Sequence, residues 1–162
     1  MAEYHPRRHD REIEDKNEIE RILKNGKYVI IAMSKNDEPY VVSLSYGYDS
    51  INRSLYFHCA LKGQKLEYIK ENRKVCATII EDHGYVKDHC EHSYSSLIIR
   101  GEFSVVDEIE EKKHGIEVLL NHLEDNPEPI LKRNIINENS YNKVNVLALK
   151  ISSIIGKTNL NK

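Results

Sequence analysis

Residues 55–69 read Leu55-Tyr-Phe-His-Cys-Ala-Leu-Lys-Gly-Gln-Lys-Leu-Glu-Tyr-Ile69, and a change of period inside this stretch decides how the chain is built. Up to Ala60 the side chains alternate as in a strand, with Leu55, Phe57 and Cys59 opposite Tyr56, His58 and Ala60. After Gly63 the period lengthens, and Leu66 and Ile69 are spaced to pack from one face of a helix. A strand that passes through a glycine turn into a helix leaves free backbone N–H groups and the positive end of the helix dipole at the turn. Lys65 adds an ammonium group there, so the turn between Gly63 and Lys65 suits a phosphate. A surface lysine beside an ordinary turn fits the same residues, and composition alone favours that plainer reading.

Upstream, Asp15 followed by Glu18 has the chemistry of a helix start, Ile19, Ile22 and Leu23 repeat at helical spacing, and Asn25-Gly26 ends the helix. Tyr28 to Met33 is continuously apolar and rich in β-branched residues, and Lys35-Asn-Asp-Glu-Pro39 supplies a turn, which predicts a hairpin. The returning strand has a bulky face of Val42, Leu44 and Tyr46 and a small one of Val41, Ser43, Ser45 and Gly47.

Downstream, a strand is expected at Val75 to Ile80, a polar histidine-rich loop at Glu81 to His92, and a long strand from about Tyr94 to Val106. Asp107 and Glu110 match a capping box ahead of a helix striped by Ile109, Ile116, Leu120 and Leu123, which Pro127 and Pro129 stop. Ile130 to Tyr141 shows no clear period, and a last strand runs from Val144 to Ile155. Short strands outnumber helices, tight turns join them, and alternating βαβ units are absent. The fold class predicted is mainly β (α+β), an antiparallel barrel or sandwich with peripheral helices. Neither a Rossmann fingerprint nor a phosphate-binding P-loop occurs.

The 162 residues suit a single domain, with a basic arm over about residues 1–14. Lys and Arg number 24 against 26 Asp and Glu, so no cationic field draws nucleic acid. Cys59, Cys76 and Cys90 form an odd set, which points to a reducing compartment, and Cys59 and Cys76 read as small core residues. No apolar run approaches the roughly 20 residues that span a bilayer, so a soluble, cytoplasmic chain without membrane contact is expected. His83, His89, Cys90 and His92 are ligand types at a spacing that matches no zinc motif, and we read them as a solvated loop with no metal.

Longer-range order adds what these segments lack singly. Asp10-Arg-Glu-Ile13, then Glu38-Pro-Tyr-Val-Val-Ser-Leu-Ser-Tyr-Gly-Tyr48, then Leu55 to Ala60 with Gly63 and Lys65, form one ordered series. Cys90, Tyr94-Ser-Ser96, Gly101, Val106, Glu111-Lys112 and Ile155-Gly-Lys157 continue it. The whole resembles the Nim nitroimidazole-resistance branch of the pyridoxamine 5'-phosphate oxidase-related FMN-binding split-barrel proteins. The chain departs from that branch at Ser43, where proline is frequent, and at Asp88-His-Cys-Glu-His92, where basic or aromatic residues are.

The resemblance implies an FMN-binding split β-barrel that works as a homodimer, with the flavin at the interface. It implies Val42, Ser43 and Leu44 along the flavin, His58, Cys59 and Ala60 beside it, Gly63, Gln64 and Lys65 at its phosphate, and Ser96 from a later strand. His58 is then the candidate catalytic residue toward a small electrophilic substrate such as a nitroaromatic. A hydrogen-bonded structural histidine is the alternative for His58. A non-catalytic flavin carrier, or a barrel holding haem or a deazaflavin, is the alternative for the whole chain.

Overall fold

In the computed structural model, which describes residues 7–160, the amphipathic segment after Asp15 is a helix, α1 (Lys16–Asn25). The Asp15 carboxylate accepts from the Asn17 amide, and the Gly26 amide donates to the Ile22 carbonyl at the other end. Ile22 and Leu23 are fully buried. β2 (Tyr28–Lys35) and β3 (Glu38–Ser45) form the expected hairpin. Its turn residues, Asn36 and Asp37, have φ of 49° and 63°, the left-handed pair of a type I′ turn that Asn and Asp tolerate.

The order continues through β4 (Gly47–Asp49), β5 (Ser54–Cys59), α2 (Gln64–Glu71), β6 (Lys74–Val86), β7 (Glu91–Val105), α3 (Ile109–Leu123), α4 (Glu128–Asn134) and β8 (Asn145–Thr158). A short β1 (Glu12–Ile13) pairs with the end of β8. The sheet path is β3-β2-β6-β7-β8-β5-β4, antiparallel at each step. β3 and β4 lie at opposite ends of that path, yet only Tyr46 separates them in sequence. The sheet therefore curls until its ends meet, which makes it a barrel. The barrel is split: the β4–β5 ladder stops at Gly47↔Tyr56, and β3 leaves that seam to pair with β2.

Inside, Val29, Ile31, Leu55, Phe57, Leu97, Ile99, Phe103, Leu147 and Leu149 are fully buried. Phe57 and Phe103 meet edge to face with centroids 5.3 Å apart. Outside, α3 covers β5 and β8, where Ile116 packs with Tyr56, Val146 and Ala148. Gly47 permits this approach, since a methyl group at that position would overlap the Leu119 backbone.

Several expectations change. Glu81 to His92 is no loop: β6 and β7 extend to Val86 and from Glu91 as a hairpin arm with a register shift between Asp82 and Tyr85. The arm is largely solvent-exposed, so backbone pairing holds it and no apolar alternation marks it. The cap of α3 is Glu108 without a side-chain bond, so the Asp107–Glu110 capping box does not form. Ile130 to Tyr141 resolves into most of α4 and a 3-10 turn over Glu138–Lys143. Cys76 is half-buried on the outer face opposite Arg100, whereas Cys59 is in the core. Residues 1–6 of the expected arm lie outside the described residues, while Ile13 at its end is buried and paired with Gly156. Among the described residues no helix is long and apolar enough to cross a membrane.

Candidate functional site

Most of the residues that the sequence singles out lie on the two stretches of β3 and β5 beyond the point where the split barrel stops pairing, and in the turn that follows β5. Antiparallel register beyond Gly47↔Tyr56 would place Ser45 against His58 and Ser43 against Ala60, but pairing has ended, so these residues flank the opening. The ladder of β5 with β8 keeps its other edge fixed, with His58 paired to Val146 and Cys59 to Asn145. The Asn145 side chain also donates to the Ala60 carbonyl at 3.2 Å, which anchors the chain where it leaves the strand.

The turn that follows is open. Gly63 caps α2 at φ +157°, ψ 158°, a conformation that residues with a Cβ rarely adopt, and nothing lies within 4 Å of where a Cβ would stand. Gln64 and Lys65 form the first turn of α2, and Tyr68 and Ile69 bury its inner face. Burial pushes the Cys59 thiol up, and the positive charge of Lys65 pulls against that shift. Cys59 is thus placed as a small core residue.

Alternation sorts the expected site residues into two groups. Val42 and Leu44 pack against the core and Cys59 lies within it, so toward a ligand at the seam they offer only backbone. Ser43, His58, Ala60, Gly63 and Gln64 are exposed, and Lys65 is half-buried. Ser96 is apart from them, on the outer face of β7.

Around Ser96 is a feature that sequence reading missed, an open cavity of about 350 Å³. β6 supplies Thr78, Ile80 and Asp82, β7 supplies His92, Tyr94, Ser96 and Ile98, and β8 supplies Lys157. The register explains the grouping, because Thr78 pairs with Ile98, Ile80 with Ser96, Ser96 with Lys157, and Asp82 with Tyr94. Asp82 contacts His92 Nε2 at 2.7 Å and accepts from the Gly84 amide, and these bonds hold its carboxyl below the usual range. The Lys157 ammonium stands 5.8 Å from the Tyr94 ring centroid. The signal available in the sequence was the two-residue period of His92, Tyr94, Ser96 and Ile98, which continues a strand through the supposed loop.

Two further histidines are structural. His122 accepts from the Tyr48 amide through Nδ1 and donates from Nε2 to the Gly26 carbonyl at 2.6 Å, and burial lowers its pKa. His114 contacts the buried Asp49 carboxylate at 2.6 Å. Among the described residues no three His, Cys, Asp or Glu side chains converge as a metal centre.

The family model for pyridoxamine 5'-phosphate oxidase matches residues 15–158. The solved structure of a "putative 5-nitroimidazole antibiotic resistance protein" from Bacteroides thetaiotaomicron is 28% identical, with 90% of this chain and 85% of that one covered at a TM-score of 0.75. The flavocytochrome Anf3 of Azotobacter vinelandii shares the fold at a TM-score of 0.81 and 14% identity, over 98% of this chain and 73% of that one. A FAD-binding protein from Mesorhizobium loti does so at 0.67 and 19%, over 92% and 97%. Comparison with curated proteins finds no match. A family match over residues 15–158, nearly all of the chain, together with the antiparallel split barrel, assigns this protein: it belongs to the pyridoxamine 5'-phosphate oxidase family.

Proposed function

We propose that the chain is a cytoplasmic, homodimeric FMN-binding oxidoreductase that reduces a small electrophile, with a nitroaromatic as the model substrate. The observation that carries this reading is the open seam, where the phosphate-compatible turn at Gly63 to Lys65 follows directly on the exposed His58. The fit is chemical as well as spatial. A terminal phosphate needs N–H donors and a cation at an uncrowded turn, and α2 begins with both. The fold relatives that bind FAD, from Mesorhizobium loti and, with haem, from Mycobacterium smegmatis, support a flavin in this barrel.

Lys65 and the first amides of α2 would hold the phosphate, the backbone of Val42 to Leu44 would run along the ring, and Cys59 and Ala60 would border it. Bound flavin supplies the electron transfer. His58 orients the substrate and delivers a proton to it. The second copy would seat on the outer row Ser43-Ile30-Thr78-Ile98-Ile155, where Ile30 and Ile98 are only half-buried. Exposed Tyr28, Val41 and Ile80 enlarge that apolar face.

The test is the absorption spectrum of the freshly purified protein, followed by anaerobic addition of NADH or NADPH and then of a nitroaromatic. A flavin spectrum that bleaches with the reductant and returns with the nitro compound is expected. A Soret band without flavin, or flavin that never bleaches, would overturn the oxidoreductase reading.

A further inference from the structure

We propose that His122 is an acid-sensitive latch: its neutral ring ties the last turn of α3 to the point where the barrel closes, and a second proton on the ring frees that end of the helix.

Both ring nitrogens are engaged by backbone, and the two partners are of opposite kind. Nε2 lies 2.6 Å from the carbonyl of Gly26, between α1 and β2, and Nδ1 lies 3.4 Å from the Tyr48 amide of β4. A carbonyl can only accept and an amide can only donate, so the ring carries its one proton on Nε2 and keeps a lone pair on Nδ1. Imidazolium has a proton on both nitrogens. Its Nδ1–H would face the Tyr48 N–H, and an attraction would become a repulsion.

The surroundings act in the same direction. Burial lowers the pKa of the ring, the bond to Gly26 works against that, and the charge of Lys27 lowers it further. Lys27 is held close, since its ammonium donates to the His122 carbonyl at 3.0 Å. The Tyr46 ring lies against the imidazole with centroids 4.9 Å apart, and its hydroxyl is committed to the Leu23 carbonyl. On the α1 side the Tyr48 hydroxyl donates to the Glu20 carboxylate, which also pairs with Lys24. Among the described residues no carboxylate bonds to the His122 ring itself, so no ion pair offsets a positive charge there. A histidine whose folded-state pKa is lowered gives an attachment that is complete above the unfolded value, near ~6.5, and is lost as pH falls toward the folded value.

The part set free is defined by the packing. Side chains alone hold α3 to the sheet, and Leu119, one turn before the latch, sits so close to Gly47 that only a glycine fits beneath it. His114, two turns earlier, contacts the Asp49 carboxylate, a partner that a second proton does not oppose. Loss of the latch therefore opens α3 beyond His114 and uncovers β4, the strand at the closing edge of the barrel. The latch touches none of the residues proposed for the flavin, so it works with or without cofactor.

The test uses the full chain, isotope-labelled, as purified. Nitrogen–proton correlation spectra of the histidine rings at about pH 7.5 should show His122 with its proton on Nε2, and its ring should titrate below ~6.5, the value of a free imidazole. Amide hydrogen exchange, expressed as protection relative to the unfolded chain, is then followed down to about pH 5, through the range in which imidazole titrates. Residues 119–123 should lose protection by up to about tenfold for each pH unit, as expected when opening takes up one proton. His122→Gln keeps a donor and an acceptor and does not titrate, so its protection in α3 should not follow pH. A ring protonated on Nδ1, wild-type protection that ignores pH, or an equal fall in His122→Gln would overturn the inference. The ring tautomer and the wild-type profile are read without the variant, so a folding fault in it leaves the outcome decided.

Discussion

The Tyr46 hydroxyl donates a 2.7 Å hydrogen bond to the Leu23 carbonyl in the last turn of α1. Tyr46 is also the one residue between β3 and β4, and it is fully buried. The bond therefore ties the point where the barrel closes to a helix end whose carbonyls have no intrahelical partner. Burial pushes the phenol pKa far up, so the group remains a neutral donor. Tyr46→Phe keeps the ring and strands the carbonyl, which should cost about 1–3 kcal/mol. Urea denaturation should show a lower midpoint at unchanged slope.

A second buried polar contact gives the fold an acid limit. Asp49 accepts from the Ile51 amide at 2.9 Å, from the Asn52 amide at 3.0 Å, from the Asn52 side chain at 2.8 Å and contacts His114 at 2.6 Å. Burial raises its pKa, but these hydrogen bonds outweigh burial and the net shift is downward. A carboxylate with a lowered folded-state pKa contributes stability that is fully present above its unfolded value, near ~4, and lost as pH falls through the folded value. Asp49→Asn should cost about 1.5–3 kcal/mol at neutral pH and flatten the acid end of the profile of melting temperature against pH. An acid slope equal to that of the wild type would remove Asp49 from this role.

At the proposed phosphate turn, Lys65→Ala removes one charge-assisted contact, with an expected loss of roughly 1.5–3 kcal/mol, or about tenfold to a hundredfold in FMN affinity. Fluorescence titration of flavin-free protein with FMN and FAD measures it. FAD should bind the wild type more weakly than FMN, because its adenylate must leave through the same turn. Equal FMN affinity in wild type and variant would detach Lys65 from the phosphate.

The barrel was legible from the sequence because its inner faces alternate cleanly. Leu55, Phe57 and Cys59 point one way and Tyr56 and His58 the other, as the period requires. The helix starting at Lys16 was legible for a different reason, the cap chemistry of Asp15. The arm from Glu81 to His92 was not, since a hairpin in solvent is held by backbone bonds that leave no apolar rhythm. Missing it hid the cavity, because Asp82, His92 and Tyr94 reach it only as members of paired strands. The seam also depends on where ladder pairing stops, between Gly47 and Ser45, and nothing local in those residues announces that stop. Lys157 had the same difficulty, since its neighbours Ser96 and Glu12 are distant in sequence.

Assembly can be tested on the uncovered outer face. Ile30 is half-buried, between Ser43 and Thr78 in the row that runs on to Ile155, and points away from the core, so Ile30→Asp should leave the barrel folded. If a second copy covers this row, a charge there acts as a lost hot spot of about 2 kcal/mol or more, and the dimer constant should weaken by at least about 30-fold. Sedimentation velocity across a dilution series reads this directly. A wild-type monomer that keeps one flavin per chain at nanomolar concentration would contradict a shared site.

His58 is the side chain whose replacement separates chemistry from architecture. Its backbone is locked in the β5–β8 ladder opposite Val146, but its ring is exposed at the seam and makes no side-chain hydrogen bond among the described residues. A histidine with no structural partner costs little to replace, so His58→Gln should change stability by no more than about 0.5 kcal/mol. Glutamine keeps a donor of similar reach and loses the capacity to pass a proton at neutral pH. If His58 delivers a proton to the substrate, single-turnover reduction of a nitroaromatic by the chemically reduced flavoprotein should slow by about 10²–10⁴. Flavin occupancy should be equal in the two proteins. If it only orients the substrate, the half-saturating concentration should rise instead, and the rate at saturation should hold. Equal rates and equal half-saturation in both proteins would leave His58 a surface residue and the seam without a catalytic side chain.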